Sequence, residues 1–124
     1  MSLVCKVVNI VGKVISKDNA RFFNKSGFNY LPKSYTDYEK GVAVQMKLQV
    51  DKPYLCDLVV FTDFFMKSKV HSDLTNLPKS LYDAGNGILW KDDRQIKECH
   101  LRVVYAKDKP EGARITIIER EKEC

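Results

Sequence analysis

The 124-residue chain is short of several things that would fix a function quickly. No run of about 18 apolar residues occurs, so no stretch is long and apolar enough to span a bilayer as a helix. The apolar segment between the N-terminus and Lys13, already interrupted by Lys6, is too short for a secretory leader, and a cytoplasmic chain is expected. The four cysteines, Cys5, Cys56, Cys99 and Cys124, include no C-x-x-C pair, and only His71 and His100 accompany them. That is poor material for a zinc site, and buried free thiols are the expectation. The "GNG" at 85–87 is punctuation after a helix, not a phosphate-binding loop. Internal repeats, linkers and low-complexity segments are missing too, so residues 1–124 read as one domain.

What is present is ordinary in total and uneven in placement. Hydrophobic residues make up 44% and charged residues 30%, as in soluble globular domains. The net charge of +5 is modest, but it lies in one half of the chain. Residues 1–70 hold 11 Lys and Arg against 6 Asp and Glu, whereas residues 71–124 hold 10 of each. A basic half beside an acid-bearing half suits an enzyme that acts on a polyanion such as nucleic acid.

Periodicity gives the element order. Leu3 to Val11 reads as a first strand. Residues 12–33 hold turn formers, basic residues and four aromatics without a helical or strand period. They predict a long loop, with a short hairpin around Ser26-Gly27. Lys13, Lys17, Arg21 and Lys25 in this loop are candidate contacts to a nucleic-acid backbone, with Phe22, Phe23, Phe28 and Tyr30 available for bases. Ser34 to Gln49 predicts a helix capped by Ser34 or Thr36, with Asp37 and Glu39 in its first turn and a buried stripe of Tyr38, Val42, Met46 and Leu48. Leu55 to Phe65 reads as a buried strand. Thr75 or Asn76 would cap a second helix, with Pro78 in its first turn, running to about Gly85. Gln95 to Tyr105 alternates Cys99, Leu101, Val103 and Tyr105 against polar neighbours, as in a half-buried strand. "AKDKPEG" is a hairpin loop and Ala113 to Glu119 the returning strand. The expectation is an α/β (α+β) two-layer domain, order β-loop-α-β-α-β-β, with two helices on one face of a mixed sheet.

The stretch "SDLTNLPKSLYDAGNGILWKDDRQI", Ser72 to Ile96, sets three aspartates around the second helix. Asp73 precedes it, and Asp92 and Asp93 follow its return segment. If that return runs back along the helix, the three carboxylates approach one another and raise each other's pKa. A hard divalent cation would relieve this. The plainer reading is that Asp73 faces the helix dipole and Asp92-Asp93 make a turn. Lys79 and Asp83, four apart, share a helix face. They form either a surface ion pair or a lysine aimed at a phosphate with Asp83 behind it.

The same residues resemble the RusA family of Holliday-junction resolvases, whose pattern is roughly D-x-D-N-x-x-K, an aspartate four further on, a short return, then D-D-x-Q-[IV]. "GFNYLPKSYTDY" is similar to that family's loop-to-helix stretch. The resemblance implies a homodimeric, Mg²⁺-dependent endonuclease (Mn²⁺ substituting, with no small-molecule cofactor) that makes paired nicks in four-way DNA junctions in recombination and repair. It would be nucleoid-associated. By position Asp73, Asp92 and Asp93 would hold metal, Lys79 would be the essential lysine, and Asn76 the helix-start asparagine. Lys67 and Lys69 would join the loop lysines on DNA. Thr75 stands where many relatives carry the second aspartate of D-x-D, which removes one negative charge. That departure motivates the alternative, a non-catalytic nucleic-acid-binding module on the same fold.

Overall fold

Nine residues from Leu58 to Met66 alternate Leu58, Val60, Thr62, Phe64 and Met66 on a buried face with more exposed residues between them. In a computed structural model, which describes residues 5–16, 22–23, 29–30, 33–69 and 73–120, this segment is an inner strand of a four-stranded sheet. The strands are β1 (Cys5–Val11), β4 (Leu58–Met66), β5 (Ile96–Tyr105) and β6 (Gly112–Glu119), in the order β1-β6-β4-β5. β6 is antiparallel to both β1 and β4, whereas β5 runs parallel to β4. Phe22–Phe23 (β2) pairs antiparallel with Asn29–Tyr30 (β3), the short hairpin expected around 26–27. The first four residues, Lys17, Arg21, Lys25 and the tail at 121–124 lie outside the described residues.

Two helices, α1 (Lys33–Gln49) and α2 (Leu77–Gly85), lie on one face, so the expected two-layer α+β architecture with a mixed sheet is what the chain forms. The core between them holds Val8, Ile10, Leu58, Val60, Phe64, Ile115 and Ile117 from the sheet, with Val42, Met46, Leu77 and Leu81 from the helices. Fully burying side chains of this size stabilises by roughly 1.5–3 kcal/mol each before chain entropy is charged against it. Trp90 is fully buried in the return from α2, set edge-on to Tyr82 at 5.4 Å between centroids, and its indole N–H donates to Asn86 Oδ1 at 2.9 Å.

Several expectations need correction. α1 begins at Lys33, so Asp37 and Glu39 fall beyond its first turn, and Thr36 donates to the Lys33 carbonyl instead of capping. Its buried face is Tyr35, Val42 and Met46, with Tyr38 half-buried, while Leu48 is 81% exposed. At 100° per residue Leu48 is turned well away from Met46, so the expected stripe was drawn one position too wide. β4 is buried on one side only, and Phe61 on the other is 41% exposed. Cys56 is disulfide-bonded and Cys99 is free but exposed, so neither is a buried free thiol.

The two margins of the sheet differ. Gln45 and Gln49, one turn apart on α1, lie along the outer edge of β1 and act as a substitute strand. Gln49 accepts from Asn9 N–H at 2.8 Å and donates to Asn9 C=O at 2.7 Å. Gln45 accepts from Val11 N–H at 2.7 Å and donates to Val11 C=O at 3.0 Å. On the far side, β5 ends the sheet, and among the described residues no strand is paired to its outer edge.

Candidate active site at the β4–β5 crossover

Parallel neighbours cannot be joined by a tight turn, so the chain leaving β4 must travel back before β5 begins. That crossover carries every candidate catalytic residue. It consists of a 3-10 turn at Leu74–Asn76, then α2, a return through 86–90, and a second 3-10 turn at Asp93–Gln95.

Asp73 opens the crossover, exposed, with its carbonyl accepting from Asn76 N–H at 2.9 Å and its side chain making no capping bond. The expected caps are not made. Asn76 sits at the N-cap of α2 with φ −93° and ψ −17° and forms no side-chain cap bond, and Thr75 is exposed in the turn before it. The cause is the 3-10 turn running straight into α2: the residue at the cap is already helical, outside the extended conformation that side-chain capping needs. Pro78 does fall in the first turn, where a missing N–H loses nothing. Lys79 is exposed on α2, and Asp83 lies one turn further on the same face.

At the other end of α2 the chain is held more tightly. Asp92 caps the second 3-10 turn, accepting from Arg94 N–H at 2.9 Å, and the Arg94 guanidinium reaches both of its carboxylate oxygens at 3.3 and 3.4 Å. The Arg94 backbone N–H first, then its side chain, hold the Asp92 carboxyl below the usual range. Gln95 completes the box. Its Oε1 accepts from Lys91 N–H at 2.8 Å and Asp92 N–H at 2.9 Å, and its Nε2 donates to the carbonyls of Tyr54 and Cys56 at 2.8 and 2.9 Å. Asp93 lies inside this turn. Partial burial, then a hydrogen bond with Asp92 and the charges of Asp92 and Asp83, push its carboxyl above the usual range.

The structure therefore brings Asp93 close to Asp92 and within electrostatic range of Asp83, near the C-terminal end of α2. Asp73 stands at the opposite end. A helix of nine residues is about 13 Å long, and a 3-10 turn precedes it. Among the described residues no three His, Cys, Asp or Glu side chains stand close enough to hold a metal ion. The approach of Asp92-Asp93 to Asp73 expected from the return segment is thus not made within one subunit. The donor chemistry still suits a hard cation. Asp93 is a carboxyl pressed by like charge at a partly open surface, a repulsion that a divalent ion relieves.

Basic residues frame the crossover. Lys67 and Lys69 are exposed just past β4, and Lys13 is exposed after β1. A cleft of about 460 Å³ beside Asp92 is lined by Leu55, Asp57, Lys91, Asp92, Arg94 and Gln95. Gln95 and Arg94 had no role in the sequence reading. The D-D-x-Q spacing was the available signal for Gln95, and an arginine two residues after an N-cap aspartate was the signal for Arg94.

Comparison with known proteins bears on this crossover directly. A search of curated proteins finds no match. The model of a protein family described as endodeoxyribonuclease RusA matches residues 12–118, from the end of β1 into β6 and across the whole acidic crossover. With most of its length so matched, the chain belongs to the RusA endodeoxyribonuclease family.

Proposed function

We propose that this chain is a homodimeric, structure-selective endonuclease that resolves four-way DNA junctions by paired nicks in opposing strands. It would do so in the cytoplasm, on nucleoid or phage DNA, with Mg²⁺ or Mn²⁺ held by Asp73, Asp92 and Asp93. The observation that carries the reading is the match of residues 12–118, the whole acidic crossover included, to a family of DNA endonucleases. Because Asp73 and Asp93 belong to opposite ends of α2, a shared ion would need Asp73 of one subunit beside Asp92 and Asp93 of another.

The bound ion would polarise the scissile phosphate and make a water acidic enough to act as nucleophile at neutral pH. The chain's own residues do the rest. Gln95 fixes the turn so that Asp92 and Asp93 point the same way in every molecule. Arg94 keeps Asp92 ionised while the site waits. Lys79, exposed on α2, supplies a positive charge to the phosphate oxygens as negative charge builds on them. Lys13, Lys67 and Lys69 hold the DNA backbone, which positions the junction without reading its bases. Thr75 contributes a neutral oxygen where a carboxylate would bind an ion more strongly. This favours the second reading, a binding module that holds junctions without cutting them.

The two readings separate on one assay, nicking of a synthetic four-way junction in Mg²⁺ and in Mn²⁺. Asp93→Asn and Lys79→Ala are each expected to lower cutting about 100-fold or more while leaving junction affinity within a few fold. Junctions bound but left intact by the unaltered chain in both metals would establish the binding module instead. Full cutting by Asp93→Asn would remove Asp93 from the metal set.

A further inference from the structure

We propose that the face of the sheet turned away from the helices binds an unpaired DNA strand, with a phosphate between Lys109 and Arg114 and bases on Phe65 and on the Phe61–His100 stack. The inference rests on the DNA-acting reading above and adds a surface on the opposite side of the sheet from α2.

Among the described residues no helix covers this face. Val7 and Val11 are exposed on it, and so is Phe61 at 41%. Strand register sets three rows across it. Phe65 stands in the first, next to Gly112. Arg114, Asp63 and Arg102 make the second, and Phe61 with His100 the third. Two aromatic stations therefore flank a band of charge.

The first station holds two cations that lack counterions. Lys109 Nζ lies 5.4 Å and the Arg114 guanidinium carbon 5.3 Å from the centre of the same Phe65 ring. The ring's negative face attracts both. Both are exposed, and among the described residues neither forms an ion pair with a carboxylate. Asp63, opposite Arg114 in the register, gives its two oxygens to Arg102 at 2.9 and 3.0 Å. The Glu111 carboxylate accepts from Lys67 N–H at 3.3 Å. Two like charges gathered on one ring repel, and a phosphate between them turns that repulsion into charge-assisted hydrogen bonds. Room for it exists, because a cavity of about 190 Å³ opens here, walled by Asn9, Val11, Pro110 and Glu111 as well as by Phe65 and the two cations. Further positive charge stands at the same end of the sheet. Gly12 N–H donates to the Glu111 carbonyl at 2.8 Å, which brings the exposed Lys13 beside the hairpin, and exposed Lys67 follows β4.

The second station decides which form of DNA fits. Phe61 and His100 lie ring on ring, 4.4 Å between centroids and 9° from parallel. Phe61 and Phe65 are four residues apart on β4, about 13 Å along the strand. Rings exposed on a sheet reward a ligand that offers the flat faces of its bases, and they do so for any base. A duplex keeps those faces inside its own stack and presents phosphates. Cations alone would suit either form. Cations interleaved with open rings select the unpaired strand.

The test measures binding of the full chain to labelled oligothymidine, with a duplex of equal length alongside, at low salt in EDTA. Lys109→Ala/Arg114→Ala should weaken oligothymidine binding at least tenfold and lower its salt slope by about one. Phe61→Ala should weaken it about fivefold or more and leave duplex binding unchanged. Phe61→Trp serves where truncation disturbs folding. Trp90 is the only natural tryptophan and is fully buried, so quenching of the added emission by oligothymidine reports contact at position 61. A chain that nicks junctions in Mg²⁺ but binds oligothymidine equally well in every variant, or not at all, would overturn this inference and leave the nuclease standing. Equal losses of duplex and oligothymidine in the double variant, with Phe61→Ala silent, would make the face a duplex track and also overturn it. Oligothymidine held through these residues by a chain that leaves junctions intact in Mg²⁺ and Mn²⁺ would uphold it and overturn the nuclease. A chain that binds neither oligothymidine nor junctions would overturn both.

Discussion

Replacing Gln95 by Ala is the sharpest test of how the acidic turn is held. The side chain makes four hydrogen bonds between 2.8 and 2.9 Å, two to backbone N–H groups and two to backbone carbonyls. Removing it leaves Lys91 N–H, Asp92 N–H, Tyr54 C=O and Cys56 C=O without that partner. Lys91 is exposed, and water replaces its bond at little loss. Asp92 and Tyr54 are half-buried and Cys56 is buried. At about 1 kcal/mol for each poorly hydrated group, the loss comes to about 2–3 kcal/mol. A domain with roughly 5–15 kcal/mol to lose stays folded through this. The urea midpoint should fall by about 1–2 M, given slopes of roughly 1–3 kcal/mol per M. Mg²⁺-dependent nicking should fall further than stability does, because the turn presenting Asp92 and Asp93 loses its brace. Gln95→Glu keeps the acceptor for both N–H groups but turns a carboxylate toward two carbonyls. Its folded-state pKa must then rise above the unfolded value, so this variant should regain stability as the pH falls through the raised value. A Gln95→Ala protein within 0.5 kcal/mol of the parent, cutting at the parent's rate, would refute the account of this turn.

Asp93→Asn should stabilise the metal-free protein as it abolishes cutting. The Asp93 carboxyl is raised in the folded chain, so folding favours its protonated form, and stability is lost as the pH rises from the ordinary aspartate value through the raised one. The melting temperature of Asp93→Asn should therefore exceed that of the parent at pH 7, and the difference should close below about pH 4, which thermal melts at the two pH values will show. Gly85→Ala should destabilise by about 1–2 kcal/mol, because a Cβ there would lie 3.2 Å from both Leu89 Cδ1 and Trp90 Cζ2. Both neighbours are fully buried, so neither yields cheaply. Trp90 is the only tryptophan, and its fluorescence should report the shift, whereas an unchanged melt would mean that the return segment relaxes freely.

Much of the architecture could be read along the chain because its strands and helices carry distinct periods. The order of elements, the hairpin near 26–27, and α2 with Pro78 in its first turn all follow from local pattern and turn chemistry. What escaped depends on neighbours far away in sequence. The edge bonds from Gln45 and Gln49 reach 34 and 40 residues back to β1, and nothing local marks those two amides as structural. β4 looked buried throughout because one of its faces, though apolar at Val59, Phe61 and Phe65, is left without a helical layer. At the crossover the acidic residues and Lys79 were legible as a set, since their spacing resembles a known pattern. Their partition between the two ends of α2 was not, because it follows from β5 lying parallel to β4. No spacing within 73–93 reveals that choice.

The glutamine ladder along β1 limits how large an assembly this sheet can build. Strand-by-strand growth needs a receptive border, and along β1 the backbone groups of Asn9 and Val11 are already taken by the chain's own amides. A strand arriving at that border finds its last stretch occupied. Removing the amides at 45 and 49 would leave those groups open to another strand.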